Sequence, residues 1–200
     1  MLNYITKYQA NKIGNAIIYL GVNVSELSKT KLLKLIFLLE EKSIKDYGEP
    51  FFGIDFKIWQ FGPVAKPIFD GLTNLESNFL SEYIIKNNYD EYEGRVGFSD
   101  DEFSNNDIKV MDWAVNFARH KVAEDLVRHT HSKDSLWRKG AIKHNVYEKF
   151  LKKELTITNF NIDFTLLFEG DEQGDFLLDK YKSALENIEF SSKYKEHVIV

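Results

Sequence analysis

The chain has no cysteine among its 200 residues, which excludes a disulfide framework and any metal site built from thiolates. Long apolar runs are missing as well: the longest, LLKLIFLLE, is interrupted by Lys34, whereas a membrane span needs roughly 20 apolar residues. The N-terminal stretch MLNYITKYQANKIGNAIIYLG carries polar residues every few positions and lacks the apolar centre of a signal peptide. These absences predict a soluble protein of the reducing cytoplasm, with no membrane partner.

A strongly basic balance is also missing. The formal net charge is −5, with 26 Lys and Arg against 31 Asp and Glu, and wholesale nucleic-acid binding usually requires a basic face. The charges are unevenly placed, however. Residues 81–107 hold eight acids against two basic residues, and residues 119–153 hold ten Lys or Arg against four acids. Most such segments are solvated faces; a charged surface for a partner is the alternative.

The two charged segments supply the candidate partner-binding residues. The acidic segment suits a basic partner protein by charge complementarity. The basic segment is the basis for the alternative function, a DNA-binding transcriptional regulator. The candidate residues are Asp90, Glu91, Glu93, Asp100, Asp101, Arg128, Arg138 and Lys139.

The spacing of the apolar residues predicts a mainly helical fold. A helix around 29–46, capped by Ser28, is apolar almost all round and therefore belongs at the centre of the fold. Other helices are expected to surround it. They are predicted over 9–20 with a stop at Gly21, from Ser104 onward, over 122–130 and over 176–188.

A small β element completes this α+β prediction. Alternating residues predict short strands near 52–60 and over 158–168, and a hairpin within 81–98 made of EYIIK and GRVGF. The pair Gly62-Pro63 predicts a corner from the first strand into a helix. We find no repeat or low-complexity linker. Residues 1–150 are predicted to form one domain, with 151–200 as a C-terminal strand and helix packed on it.

No catalytic pattern stands out, so we expect no enzyme, no cofactor and no bound metal. His129 and His131 are two residues apart at a predicted helix end, where their rings point in different directions, unlike the ligands of a helical zinc site. The sequence lacks G-x-S-x-G, a phosphate-binding glycine loop and H-E-x-x-H. We expect a binding protein with one capping or core histidine and one exposed histidine; a histidine- or metal-dependent hydrolase is the weaker alternative.

Three segments, in this order, resemble one family. LSKTKLLKLIFLLE is similar to its capped helix with the pattern K-L-x-K-L, FKIWQFGPV to its W-x-[YF]-G-P-V segment, and LVRHTHSKDSLWRKG to its later Thr/Ser-His, spacer, Trp-Lys/Arg segment. Over roughly residues 10–145 the chain resembles the Panacea domain, the SocA-like antitoxin family also described as GepA-type phage-associated proteins. The matched residues are Lys31, Lys34, Trp59, Gly62, Pro63, His131 and Trp137.

The resemblance implies a role in neutralising a toxin encoded beside this protein, often in a prophage or mobile element. Some family members bind the toxin directly, and at least one type is an adaptor that delivers its toxin to a protease. The resemblance also implies that the motif residues are mostly structural, with the Trp59 corner packed under the Lys31 and Lys34 helix and closed by His131 and Trp137. The alternative is a shared recognition groove, in which Trp and Arg are typical anchors. Operator DNA and a homodimer are left open as further partners.

Overall fold

The computed structural model describes residues 4–170, 174–194 and 197–199. Most of these residues are helical, which confirms the predicted mainly α fold with a small β element. Short 3₁₀ turns lie at Leu75–Ser77, Phe79–Glu82 and Phe164–Leu167. The α-helices are α1 (Lys7–Asn23), α2 (Lys29–Tyr47), α3 (Lys66–Thr73), α4 (Asn105–Ala118), α5 (Ala123–Thr130), α6 (Leu136–Lys143), α7 (Tyr147–Leu151) and α8 (Gly174–Ser192).

The strands are all short and pair in twos. Within the described residues they form two-stranded antiparallel sheets. Strands β2 and β3, and likewise β4 and β5, are neighbours in the chain and form hairpins, whereas β1 pairs with β6. Their bounds are β1 (Tyr4–Thr6), β2 (Lys57–Trp59), β3 (Gly62–Val64), β4 (Ile84–Lys86), β5 (Tyr92–Gly94) and β6 (His197–Ile199).

Helix α2 is central, as its sequence predicts. Every residue from Lys31 to Glu40 is buried, because α4, α5 and α8 pack against this helix along with strand β3. Ser28 caps its start by accepting the backbone N–H of Lys31, and Gly48, in the left-handed conformation, ends it. No helix among the described residues, α2 included, has the length and apolar character that crossing a membrane requires.

The hairpin predicted within 81–98 is present, but its second strand is β5 and not GRVGF. Tyr92 is buried and its hydroxyl donates to the Leu72 carbonyl at 3.0 Å, whereas Val96 is exposed. The prediction that Gly21 ends α1 is wrong as well. Gly21 lies inside the helix, where a Cβ would come within 3.2 Å of the Tyr92 carbonyl oxygen. Its role is to let β5 approach α1.

The strand predicted near 52–60 is limited to β2. The backbone N–H groups of Phe52 and Gly53 donate to the buried carboxylate of Glu40, at 2.7 and 3.3 Å. A residue whose N–H group is held by a carboxylate does not offer it to a neighbouring strand. The segment before β2 is therefore irregular, although Phe51, Phe52 and Phe56 are buried in the core.

The strand predicted over 158–168 is wrong. Backbone hydrogen bonds do join this segment to β2, with Ile58 N donating to Phe160 O at 2.9 Å, but a bridge forms at Asn161 alone. Asp163 then accepts the N–H of Thr165 and starts a 3₁₀ turn. The described parts of 151–200 contact α2 through this turn and through α8; the division into domains stays a prediction.

Candidate functional site: a cleft beside the β2–β3 hairpin

The Gly-Pro segment forms a hairpin, so the predicted corner from strand directly into helix is wrong. Trp59 pairs with Gly62, which leaves Gln60 and Phe61 as a two-residue turn. Gly62 has φ +108°, a conformation that L side chains rarely adopt, and the chain turns back on itself there. Helix α3 begins only after β3, with Pro67 in its first turn, where a missing N–H costs nothing.

Lys34 of helix α2 lies directly beneath this turn. It is 2% exposed, and its Nζ is 3.5 Å from the Pro63 carbonyl oxygen. A Cβ at Gly62 would come within 2.6 Å of Lys34 Nζ and 3.1 Å of His131 Nε2, so the glycine leaves room for both nitrogens. Burial lowers the pKa of Lys34 to about 7. Among the residues that the structure describes, no carboxylate forms an ion pair with it.

His131 lies at the end of α5, on the other side of Gly62. Its ring stacks on that of Trp137, with centroids 3.9 Å apart and planes 17° apart. Burial, together with the charge of Lys34, lowers the pKa of His131 to about 4, so the ring is neutral at pH 7. Within the described part of the chain its buried Nε2 has no hydrogen-bond partner.

The two tryptophans of the motifs connect three parts of the chain. Trp137 on α6 donates its indole N–H to the Trp59 carbonyl at 2.7 Å, and Trp59 donates its own to the Thr158 carbonyl at 3.1 Å. Trp137 is buried, and the half-buried Trp59 packs edge-on against Phe69 at 5.0 Å. The hairpin is therefore held from both sides. Nothing in the sequence patterns pointed to Thr158 as its partner.

Lys31 is not part of this cluster. Its Nζ donates to the Ser25 carbonyl at 2.8 Å, and burial, which lowers its pKa, is partly offset by the nearby charges of Glu26 and Glu91. The motif residues brought together are thus Lys34, Trp59, Gly62, Pro63, His131 and Trp137.

An open cleft of about 260 Å³ adjoins the cluster, between the hairpin turn, α6 and α7. Trp137 and Phe150 stack at 5.9 Å and are both buried. Phe61 and Leu151 are 71% and 60% exposed at its edges. We call it the hairpin cleft. Its lining residues are Gln60, Phe61, His131, Trp137, Tyr147, Phe150, Leu151 and Lys153.

The matched segment of a known family runs through this site. A comparison with family models matches "Antitoxin SocA-like, Panacea domain" over residues 32–138, more than half of the chain. The chain belongs to the SocA-like Panacea family. A search of curated proteins gave no match, and neither did a search of solved structures. The Panacea match runs from α2 to α6 and covers the buried motif cluster and Phe61. The residues of α7 that line the other side of the cleft lie after the matched segment.

The acidic candidates of this Panacea protein do not form a single site. Asp90 pairs with Lys86 at 2.7 Å, and the Glu91 carboxylate accepts a hydrogen bond from the Asn87 amide at 3.2 Å. Both lie in the β4–β5 hairpin, which packs against α1. The remaining acidic candidates are exposed on β5 or in the loop before α4: Glu93, Asp100 and Asp101.

The basic candidates are also dispersed. Arg128 pairs with Asp125 on the same helix, whereas the guanidinium of Arg138 lies 4.7 Å from the Tyr147 ring centroid, behind one wall of the hairpin cleft. Lys139 is exposed. Arg138 therefore contacts a residue that lines the cleft, Tyr147.

The two histidines of the helix end have different environments. His129 is exposed with its ring 4.9 Å from that of Phe117, and His131 follows the last residue of α5 as its C-cap. One capping or core histidine and one exposed histidine were expected from the sequence. Across the described residues, no group of three or more His, Asp or Glu is arranged to hold a metal ion.

Proposed function

We propose that this protein is an antitoxin of a toxin–antitoxin system and that it neutralises a cognate toxin by binding it directly in the cytoplasm. The observation that carries the proposal is the family match over residues 32–138, because the family is described as antitoxins. On this proposal the protein carries out no reaction of its own. Neutralisation follows from covering a surface that the toxin needs.

The geometry supports a division between scaffold and contact surface. Lys34 and Trp137 are at most 3% exposed, so these motif residues hold α2, α6 and the hairpin together and have little area to offer a partner. Phe61 lies within the same motif segment and is 71% exposed. A buried common core beside an exposed apolar residue suits a binding domain, since large exposed apolar groups mark interaction sites when they cluster.

Operator binding through residues 119–153 is the alternative function. The pairing of Arg128 with Asp125 and the packing of Arg138 on Tyr147 count against it, because phosphate contacts use Lys and Arg side chains that are free to neutralise the backbone. The alternative predicts binding to the promoter DNA of its own operon that weakens steeply as salt is raised.

The test is co-expression with the protein encoded by the adjacent gene, scored by growth and by co-purification. We expect the neighbour alone to arrest growth, and the pair to grow and to purify as a complex. The same assay in a host that lacks its ATP-dependent proteases separates the two modes of neutralisation. Rescue that persists there indicates direct binding, and rescue that is lost there indicates a protease adaptor. A harmless neighbour that does not co-purify would contradict the antitoxin function.

A further inference from the structure

We propose that the hairpin cleft is the surface that contacts the toxin, and that it takes an acidic segment of the toxin carrying a large apolar side chain. This inference rests on the proposed antitoxin function and goes further by naming the site and the chemistry of the partner.

The first argument is the position of Phe61. Two-residue hairpin turns favour Gly, Asn and Asp, and Phe61 occupies such a turn with 71% of its surface exposed. Its ring therefore adds little to the stability of the folded chain. Leu151, across the cleft, is 60% exposed at the end of α7. Both apolar side chains face the same concave aromatic surface. A partner that binds there removes their exposed apolar surface from water, which favours binding.

The second argument is the aromatic lining between these two residues. Trp137 and Phe150 stack with planes 15° apart, and Tyr147 meets Trp137 at 69°. Aromatic walls of this kind accept a large apolar side chain with well-defined geometry, and hot spots of protein interfaces are enriched in Trp and Tyr. A cleft of about 260 Å³ has room for one or two such side chains and not for a folded domain.

The third argument is that the cleft is held in place before any partner arrives. The Gln60 side-chain amide donates to the Phe150 carbonyl at 2.8 Å and ties the hairpin turn to α7. Trp137 fixes the same hairpin through the Trp59 carbonyl. A surface that is already ordered loses little side-chain and loop entropy on binding, which favours affinity.

The fourth argument is the charge around the cleft. Lys153 is the charged member of the lining, and the Arg138 guanidinium lies behind Tyr147. At this end of α7 the exposed cations Lys149, Lys152 and Lys153 outnumber the exposed acids Glu148 and Glu154. The chain as a whole carries a net charge of −5, whereas the described lining of the cleft includes Lys153 and no Asp or Glu. This lining suits a segment with carboxylates beside the apolar side chain.

The acidic residues of the β4–β5 hairpin are the competing surface. They would suit a basic toxin, but Asp90 is paired with Lys86, and the Glu91 carboxylate accepts a hydrogen bond from the Asn87 amide. We therefore place the contact at the hairpin cleft and use the acidic residues as an arm of the test.

The experiment measures the Kd of this protein for the purified protein encoded by the adjacent gene. Phe61→Ser and Leu151→Ser should each weaken binding at least about 10-fold, as truncated hot spots do. Lys153→Glu should weaken binding and reduce its dependence on salt. The matched controls are Phe176→Ser and Lys182→Glu, exposed residues of α8, which should change the Kd by less than about 2-fold. Melting temperatures verify that each variant is folded.

The outcomes separate the two levels of the proposal. If the wild-type protein does not bind its neighbour, the proposed antitoxin function fails. If it binds, and Phe61→Ser and Leu151→Ser bind equally well, the cleft inference is overturned. Weakening by Glu93→Lys with those two variants unchanged would assign the contact to the β4–β5 hairpin. If the free wild-type protein is a dimer and Phe61→Ser is a monomer, the cleft is an interface between copies, which also overturns the inference.

Discussion

Lys34 is a buried ammonium group whose Nζ lies 3.5 Å from the Pro63 carbonyl oxygen. Burial without a carboxylate destabilises the charged form of Lys34. Burial and the charge of Lys34 also lower the pKa of His131, which is therefore neutral at pH 7. Two cations at this point would repel each other across Gly62. The cluster is therefore stable with at most one of its two basic groups charged.

This arrangement makes stability depend on pH in a defined direction. The folded-state pKa of Lys34 is about 7, below its unfolded value of 10.5, so the unfolded state binds more protons between these values. The contribution of Lys34 to the free energy of unfolding should therefore rise with pH from about 7 to 9, by up to about 1.4 kcal/mol per pH unit. Burial raises the pKa of Glu40 and of Glu41 to about 7, and these two groups oppose the rise near pH 7. Urea denaturation across this range measures the free energy of unfolding. Lys34→Met should be more stable than wild type at pH 7, and its advantage over wild type should shrink as pH rises; a difference between the two proteins that does not change with pH would contradict this account.

Gly62 is the second residue on which the cluster depends. With φ +108°, Gly62→Ala introduces backbone strain of about 1–3 kcal/mol and places a Cβ against Lys34 Nζ and His131 Nε2. Its unfolding midpoint in urea should fall clearly. Gly97→Ala is the control, because a Cβ at Gly97 meets nothing within 4 Å. Equal midpoints for the two variants would mean that the hairpin turn relaxes at no cost.

At the scale of elements, two indole hydrogen bonds hold the β2–β3 hairpin. Trp137 donates one to the hairpin, and Trp59 of the hairpin donates the other to the Thr158 carbonyl. Trp137→Phe keeps most of the ring but removes the 2.7 Å bond to the Trp59 carbonyl, so it should lower the free energy of unfolding by about 1–3 kcal/mol. Trp113→Phe is the matched control, since the Trp113 indole has ring contacts but no hydrogen bond among the described residues. Chemical denaturation measures the free energy of unfolding of both variants. Similar losses of stability would show that the effect comes from ring volume and not from the hydrogen bond.

Elements whose signals are local could be predicted from the sequence, and those set by distant contacts could not. Helix α2 could be predicted because its run of apolar residues and its Ser28 cap are adjacent in the sequence. Helix α4 likewise begins as predicted, with a capping box between Ser104 and Asp107. Gly21 was mistaken for a helix stop because the approach of β5 is a tertiary contact. Residues 158–168 are an exception, because they alternate like a strand although the local cap at Asp163 starts a 3₁₀ turn.

The candidate site shows the same limit. The motifs indicated that Trp59, His131 and Trp137 meet, and they do. The cleft itself depends on Phe150 and Leu151, which follow the family segment and carry no pattern of their own. Its hydrogen bond from Gln60 to a backbone carbonyl of α7 joins residues 90 positions apart. No sequence spacing reports such a contact.

At the scale of the whole molecule, the family segment 32–138 does not close its own core. Phe164, which follows it, stacks on Phe37 of α2 at 6.0 Å and meets Phe56 edge-on. Thr158 donates its hydroxyl to the Ile58 carbonyl at 2.6 Å and accepts the Trp59 indole through its own carbonyl. The later segment therefore completes the layer that covers the central helix.

Truncation tests this dependence. A chain ending at residue 151 lacks Thr158 and Phe164 and should lose cooperative unfolding, because the aromatic face of α2 is left exposed. A chain ending at residue 170 keeps both residues and loses α8, so it should still unfold cooperatively at a lower temperature. Circular dichroism melts distinguish them. A cooperative transition of the shorter chain at the same temperature as the longer one would contradict this view of the core.

The contact between Phe37 and Phe164 also has a consequence for how the protein is made. The ribosome adds roughly 5–20 residues each second, so the central helix leaves the exit tunnel about 6–25 seconds before the segment that covers its aromatic face. During that interval a helix that is apolar on nearly every side is without its final covering. Until that segment emerges, the nascent chain exposes apolar surface of the kind that makes folding intermediates prone to aggregation.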